Sequence, residues 1–178
     1  ADSRKAVELM PSNSVPFNGR GKTLAALGRS YSALRYLNRA LTLNGQYTAA
    51  YENRARVYAH LERYDDALAD LDKVLEMAPD NVELLILRGV ANAKLRRTQA
   101  ALRDLGRALE IEPDNAEALV RRAAVNLERK RADAALEDLN QAIGIDAEMA
   151  DAWYHRALAQ KQKGDLEASK ADVEKELT

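Results

Sequence analysis

Two identical triplets, Pro79-Asp80-Asn81 and Pro113-Asp114-Asn115, stand 34 residues apart, and the same step aligns the rest of the chain without a gap. One column of this register is always small: Gly21, Ala55, Gly89, Ala123, Ala157. A second small column holds Ala33, Ala67, Ala101, Ala135 and Ser169. A bulky column holds Phe17, Tyr51, Leu85, Leu119 and Trp153, and an aliphatic one Leu37, Leu71, Leu105, Leu139 and Val173. A fixed period of this length means one supersecondary unit used repeatedly, each copy burying its apolar face on its neighbours.

The unit is helical. Leu68, Leu71 and Leu75 follow i, i+3, i+7, as do Leu102, Leu105, Leu109 and Leu136, Leu139, Ile143. Each copy holds two such stretches, split by a polar turn: Gly28-Arg29-Ser30, Glu62-Arg63, Arg96-Arg97, Lys130-Arg131 and Gly164-Asp165. Pro79 and Pro113 close the second helix, because the residue before a proline avoids the helical region. Asp80/Asn81 and Asp114/Asn115 then offer caps to the next helix. Pro16 suits a first helical turn, where its missing N–H costs nothing. Small residues in two columns let helix backbones approach, and bulky columns fill the space between pairs. No segment reads as a strand, and only 5% of residues are aromatic.

A 34-residue helix–turn–helix with these columns resembles the tetratricopeptide repeat family. The copy at 48–81 carries the resemblance most clearly, with Tyr51, Ala55, Tyr58, Ala67, Leu71 and Pro79 in the signature columns. The resemblance implies an all-α, right-handed solenoid of antiparallel helix pairs, with a concave groove that binds protein segments. One array is expected over 1–178: a partial copy at 1–13, copies at 14–47, 48–81, 82–115 and 116–149, and an incomplete one at 150–178. Starting half-way through a copy implies further repeats upstream. At the other end Ser169, Lys170 and Glu176 make the last helix more polar, as a terminal repeat meeting water requires.

Composition narrows the function. With 27 basic and 28 acidic residues the net charge is −1, without the basic excess of a dedicated nucleic-acid binder. The 47% hydrophobic content suffices for a core, yet no apolar run approaches the roughly 20 residues that span a bilayer. The absence of cysteine excludes a disulfide framework, a zinc-thiolate site and a cysteine nucleophile. It leaves the compartment open: the cytoplasm, slightly favoured, and an exported or bacterial periplasmic setting both fit. His60 and His155 sit in different copies, with no His-Glu-x-x-His and no Gly-x-Ser-x-Gly, so a non-enzymatic chain is expected, without metal or cofactor. Gly19-Arg20-Gly21-Lys22-Thr23 imitates the end of a phosphate-binding loop. The leading glycine of that motif is replaced by Pro16, and no strand precedes it.

Two side-chain patterns remain. Arg20, Arg54, Arg88, Arg122 and Arg156 fill one column, where the family usually has an aliphatic residue. Asp70, Asp104, Asp138 and Asp172 fill another, with Tyr36 in the first copy. An Arg–Asp ladder bridging helices within or between copies is expected, the other reading being an anion-binding ladder. The second pattern is implied by the resemblance: the first helix of each copy lines the groove. Column by column this gives Asn18 and Lys22, then Glu52, Arg56 and His60, then Glu83, Ile86, Val90 and Lys94. Glu117, Val120, Ala124, Leu127 and Glu128 follow, then Asp151, Tyr154, Leu158 and Lys161. The later positions form an apolar stripe, Ile86, Val90, Val120, Leu127, Tyr154 and Leu158, edged by acids and suited to an amphipathic helix or an apolar peptide with basic flanks. The alternative is that these residues pack inside the array.

The expected role is a scaffold or adaptor binding a peptide or helical segment of a protein partner. Self-association through terminal repeats and a targeting or regulatory segment of a larger enzyme are the alternatives. The chaperone-tail clamp of some family members is not expected, because Glu83 and Leu87 stand where that clamp needs basic side chains. RNA binding is not expected either, since no aromatic series lines the groove.

Overall fold

The structure is a computed structural model that describes residues 3–176. Among those residues it has eleven α-helices and no strand. They are α1 (Ser3–Leu9), α2 (Ser14–Ala26), α3 (Ser30–Leu43), α4 (Thr48–His60), α5 (Tyr64–Met77) and α6 (Val82–Lys94). Then come α7 (Thr98–Ile111), α8 (Ala116–Glu128), α9 (Ala132–Ile145), α10 (Ala150–Lys163) and α11 (Leu166–Glu176). The chain divides into two compact units, one ending at Pro79 and the other beginning at Asp80. In the first, α2 packs on α3 and α4 on α5, with α3 against α4, α2 against α4 and α1 against α2. In the second, the pairs are α6–α7, α8–α9 and α10–α11, joined by α7 with α8, α9 with α10, and α8 with both α6 and α10. The helices α2 to α11 thus form five antiparallel pairs, two in the first unit and three in the second, with α1 packed on α2.

The shared columns explain why one geometry recurs. Leu37 and Leu71 are fully buried in the first unit, and Leu105 and Leu139 in the second. Each lies on a second helix, across from the small column of the first helix. At Gly21 and Gly89 the approach is so close that an added Cβ would sit 2.6 Å from Leu37 Cγ and 2.8 Å from Leu105 Cγ. Gly19-Arg20-Gly21-Lys22-Thr23 is therefore helix, in the middle of α2, with Gly21 as a packing residue. Gly106, by contrast, lies in α7 with nothing within 4 Å of its would-be Cβ. Gly106→Ala is expected to raise stability by about 1 kcal/mol through helix propensity. Gly89→Ala should forfeit that gain, because Leu105 must shift out of its well-packed position. Urea unfolding of the two variants side by side measures the difference.

The turns between paired helices also recur. Gly28, Glu62, Arg96, Lys130 and Gly164, again 34 apart, all have positive φ between 57° and 88°. Each ends its helix by a backbone bond from the following N–H to a carbonyl five residues back: Arg29 to Leu24, Arg63 to Tyr58, Arg97 to Asn92, Arg131 to Asn126, Asp165 to Gln160. Three of the five lack the glycine that makes this conformation free of strain.

At the other turn, Asn81 Oδ1 accepts from Leu84 N–H and Asn115 Oδ1 from Ala118 N–H, capping α6 and α8. Asp80 and Asp114 instead accept from Arg107 and Gln141. Where the proline column holds Gly45 or Ala147, the bulky column supplies a donor. Tyr51 Oη bonds the Gly45 carbonyl at 3.2 Å, and Trp153 Nε1 bonds that of Ala147 at 2.8 Å. At the last helix, Ser169 Oγ donates to the Ala157 carbonyl, and Lys170 is exposed and paired with Glu167. The side chain of Glu176 lies outside the described residues.

The Arg and Asp columns meet within each copy. The guanidinium Nε and Nη2 of Arg54 grip both oxygens of Asp70 at 2.7 Å, tying α4 to α5. Arg88 holds Asp104 (3.0 and 2.7 Å), Arg122 holds Asp138 (2.9 and 2.6 Å) and Arg156 holds Asp172 (2.8 and 2.7 Å) in the same fork. Nη1 of Arg54 and of Arg156 reaches one copy back, to Asn38 and Asn140. These four guanidinium groups are committed to their own carboxylates, which removes the anion-ladder reading for them. Arg20 differs: Tyr36 occupies the Asp column, Nη1 donates to Ser3 Oγ at 3.1 Å, and Nε is buried without an acceptor.

Candidate interaction surface

The first helix of each copy contributes the groove positions, so the site must be assembled from α2 and α4 in one unit and from α6, α8 and α10 in the other. In the first unit Asn18 is buried and held: its Nδ2 donates to Tyr47 Oη, and its Oδ1 accepts from Asn53 Nδ2 at 2.9 Å. It joins α2 to α4 and is not free to meet a ligand. Lys22, Arg56 and His60 are exposed, and Glu52 is half-buried beneath Arg56, which it accepts at 3.2 Å.

The second unit corrects the apolar stripe. Ile86, Val120 and Leu127 are buried, Val120 to 2% exposure. These three side chains are core, on helices that pack against α7, α9 and each other. Val90 is half-buried, and only Tyr154 and Leu158, both on α10, stand exposed. The acids Glu83, Glu117 and Asp151 are exposed as expected, and so is Lys94.

Between α6, α8 and α10 a cavity of about 330 Å³ opens. Val90, Ala93, Ala124, Val125 and Leu105 line its apolar part. Lys94, Arg96, Arg121, Glu128 and His155 line its polar part. Of these, Val90, Lys94, Ala124 and Glu128 are among the expected groove residues. Arg121 and His155 were missed because they occupy the column beside the expected lining, the column of Asn53. Asn53 bridges copies in the first unit through Asn18, a role for this column that only the placement of the helices shows.

The polar groups of the cavity are partly engaged. Arg96 pairs with Glu128 at 2.8 Å, and Arg121 lies 3.6 Å from Glu117 and 3.9 Å from Asp151. His155 Nδ1 lies 2.7 Å from the Asp151 carbonyl, which can only accept, so Nδ1 carries the proton and Nε2 is left for a ligand or water. The Tyr154 ring stands edge-on to the imidazole, 5.2 Å away. Lys94 has no carboxylate within reach among the described residues. The arrangement offers an apolar hollow for one side chain, with a cation and an imidazole nitrogen at its edge. It contains no nucleophile and base set within hydrogen-bonding distance. Among the described residues, no helix is long and apolar enough to cross a membrane.

Comparison with known proteins agrees with the helical-repeat fold. Sequence models described as tetratricopeptide repeat match residues 48–81, 86–150 and 150–175. No curated protein matches this sequence significantly. Solved structures are similar over almost the whole chain. The crystal structure of YrrB, "a TPR protein with an unusual peptide-binding site", is 24% identical, covering 99% of this chain and 91% of that one at a TM-score of 0.78. A tetratricopeptide repeat protein from Parabacteroides merdae is also 24% identical, covering 97% of this chain and 69% of that one at 0.85. MamA from Desulfovibrio magneticus is 19% identical, covering 92% and 93% at 0.83. These likenesses show the α-solenoid fold.

Proposed function

The chain belongs to the tetratricopeptide repeat family, and from that premise we propose that it is a non-enzymatic scaffold that binds a segment of a partner protein on the first-helix face of its second unit. The family serves generally as protein-interaction modules. The observation that carries the finer reading is the cavity of about 330 Å³ between α6, α8 and α10. Its volume lies at the lower end of the range of ligand pockets, roughly 300–1,000 Å³, and is open enough for a large aliphatic or aromatic side chain. Tyr154 and Leu158 extend the apolar contact beyond its rim, where exposed apolar side chains favour association. Lys94 supplies a cation for an acidic neighbour, and His155 Nε2 an acceptor for a flanking backbone N–H. An extended or helical segment that inserts one apolar anchor satisfies this surface. YrrB, of the same fold, is described as having a peptide-binding site, which supports the reading by analogy.

Peptides selected from a random display library against the wild-type chain test the proposal. Ala124→Trp fills the hollow from a half-buried position, and Tyr154→Ala removes the exposed ring. The double variant is expected to weaken the selected peptides at least about tenfold, the loss of one apolar anchor, while its circular dichroism stays helical. Peptides that bind both proteins equally would place the site elsewhere.

A further inference from the structure

We propose that the exposed face of α3 docks on the corresponding face of α9 in a second copy of this chain. The inference does not use the first-helix cavity, and its test reads no peptide. It starts from a separation of charge that the near-zero net value hides. Between Glu8 and Glu52 the chain has no acidic residue but carries Arg20, Lys22, Arg29, Arg35 and Arg39. Between Arg131 and Arg156 it has no Lys or Arg but carries Asp133, Glu137, Asp138, Asp146, Glu148 and Asp151.

The helices concentrate these charges on equivalent faces. Tyr31, Arg35 and Arg39 stand at i, i+4, i+8 on α3 and form one stripe. All three are exposed, Tyr31 to 74%. Three periods later the same columns hold Asp133, Glu137 and Gln141 on α9, followed by Ile145 one turn on. All are exposed, Ile145 to 43%. Lys163 holds Asp133 and the Gln141 amide donates to the Pro113 carbonyl, so Glu137 and the Gln141 Oε1 are the acceptors this face offers a partner. The same surface of the same repeat is thus basic with an aromatic end in one copy, and acidic with an aliphatic end in another. Laid antiparallel, Arg39 meets Glu137, Arg35 meets Gln141, and Tyr31 meets Ile145.

The cations of α3 also lack the partners that this column has elsewhere. Arg107, in the column of Arg39, is held by Glu110 and Asp80 at 2.9 and 2.8 Å. The columns of those two acids contain Thr42 and Ser12 in the first copy. Arg39 rests over the Phe17 ring, 5.9 Å away, and neither it nor Arg35 has a carboxylate partner among the described residues. On α9, Glu137 lies in the field of Arg122, which Asp138 already holds. Its carboxylate stays exposed for a second contact. Complementary charged patches accelerate encounter and fix register, and the apolar pair Tyr31–Ile145 closes one end of the contact.

The test is the solution mass of the full chain by light scattering and sedimentation. The wild type is expected to grow in mass with concentration at ~50 mM salt and return to monomer at ~500 mM, where screening shortens the reach of charges to a few ångströms. R35E/R39E makes both faces acidic, and E137R/Q141R makes both basic. Each should weaken self-association at least about tenfold without loss of helix. Mixing the two variants should restore it, because each now presents what the other lacks. A wild type that stays monomeric at low salt overturns the proposal, even if it binds an acidic peptide or an oligonucleotide through Arg35 and Arg39. So does a mixture that stays monomeric, or a reversed variant that assembles like the wild type.

Discussion

Replacing Arg54 with methionine lowers the free energy of unfolding by about 3–5 kcal/mol, the cost of leaving a buried carboxylate without its cation. Asp70 is only 3% exposed, and both of its oxygens are bound by Arg54. The hydrogen bond to Asp70 holds the Arg54 guanidinium above its ordinary value, against the opposing effect of burial, and the Coulomb attraction of Asp70 adds to it. Because the folded value is raised, this contribution is complete below arginine's ordinary range and is lost only as pH climbs past the raised value. Neutral-range titration therefore leaves the guanidinium charged. Arg54→Met/Asp70→Leu should regain most of the loss, since an apolar pair of similar volume replaces a buried ion pair at little cost. Arg20→Met is the internal comparison. It strands no aspartate and removes a buried Nε with no acceptor, so stability should hold or rise by about 1 kcal/mol. Urea unfolding followed by circular dichroism measures all three. Equal losses at Arg54 and Arg20 would show that the carboxylate is not what makes this column expensive.

Leu105→Ala is expected to cost about 3–5 kcal/mol, the range of large-to-small changes in a core that cannot collapse. Leu105 is fully buried across from Gly89, where the α6 backbone already lies against its Cγ. A Cβ at Gly89 would also lie 3.4 Å from the Ala101 carbonyl of α7, so the helices are already close and the space left by the deleted side chain stays. Val173 occupies the same column in the last copy but is 42% exposed, on α11. Val173→Ala should change stability by less than about 0.5 kcal/mol, as surface substitutions usually do. Thermal and urea unfolding of both variants would expose a column rule that ignored position if the two losses came out alike.

Much of this could be read from single residues. The 34-residue register assigned helices, turns and the two small columns, because helical period and close packing leave marks on residue type. Pro79 and Pro113 marked helix ends, and Asn81 and Asn115 marked helix starts. The Arg and Asp columns announced an ion pair because only one partner of each kind recurs in step. The candidate surface was less legible. Ile86 and Val120 share a first-helix column with Tyr154, and Leu127 lies on the same helix as Val120; an aliphatic side chain suits a buried contact as well as a groove. Nothing in the sequence separates the two without the neighbouring helix. Arg121 and His155 escaped for the opposite reason: their column is one step from the expected lining, and only helix placement turns them inward.

The repeat length, the helical class, the helix boundaries and the ladder partners follow from the sequence itself, since they depend on local preference and on periodicity. Which aliphatic residues become core, which guanidinium lacks its carboxylate's company, and where a cavity opens were decided by tertiary structure. Burial is a property of a residue and its neighbours together, and two copies with the same columns have different neighbours: among the described residues α7 is packed against both α6 and α8, whereas α11 packs on α10 alone.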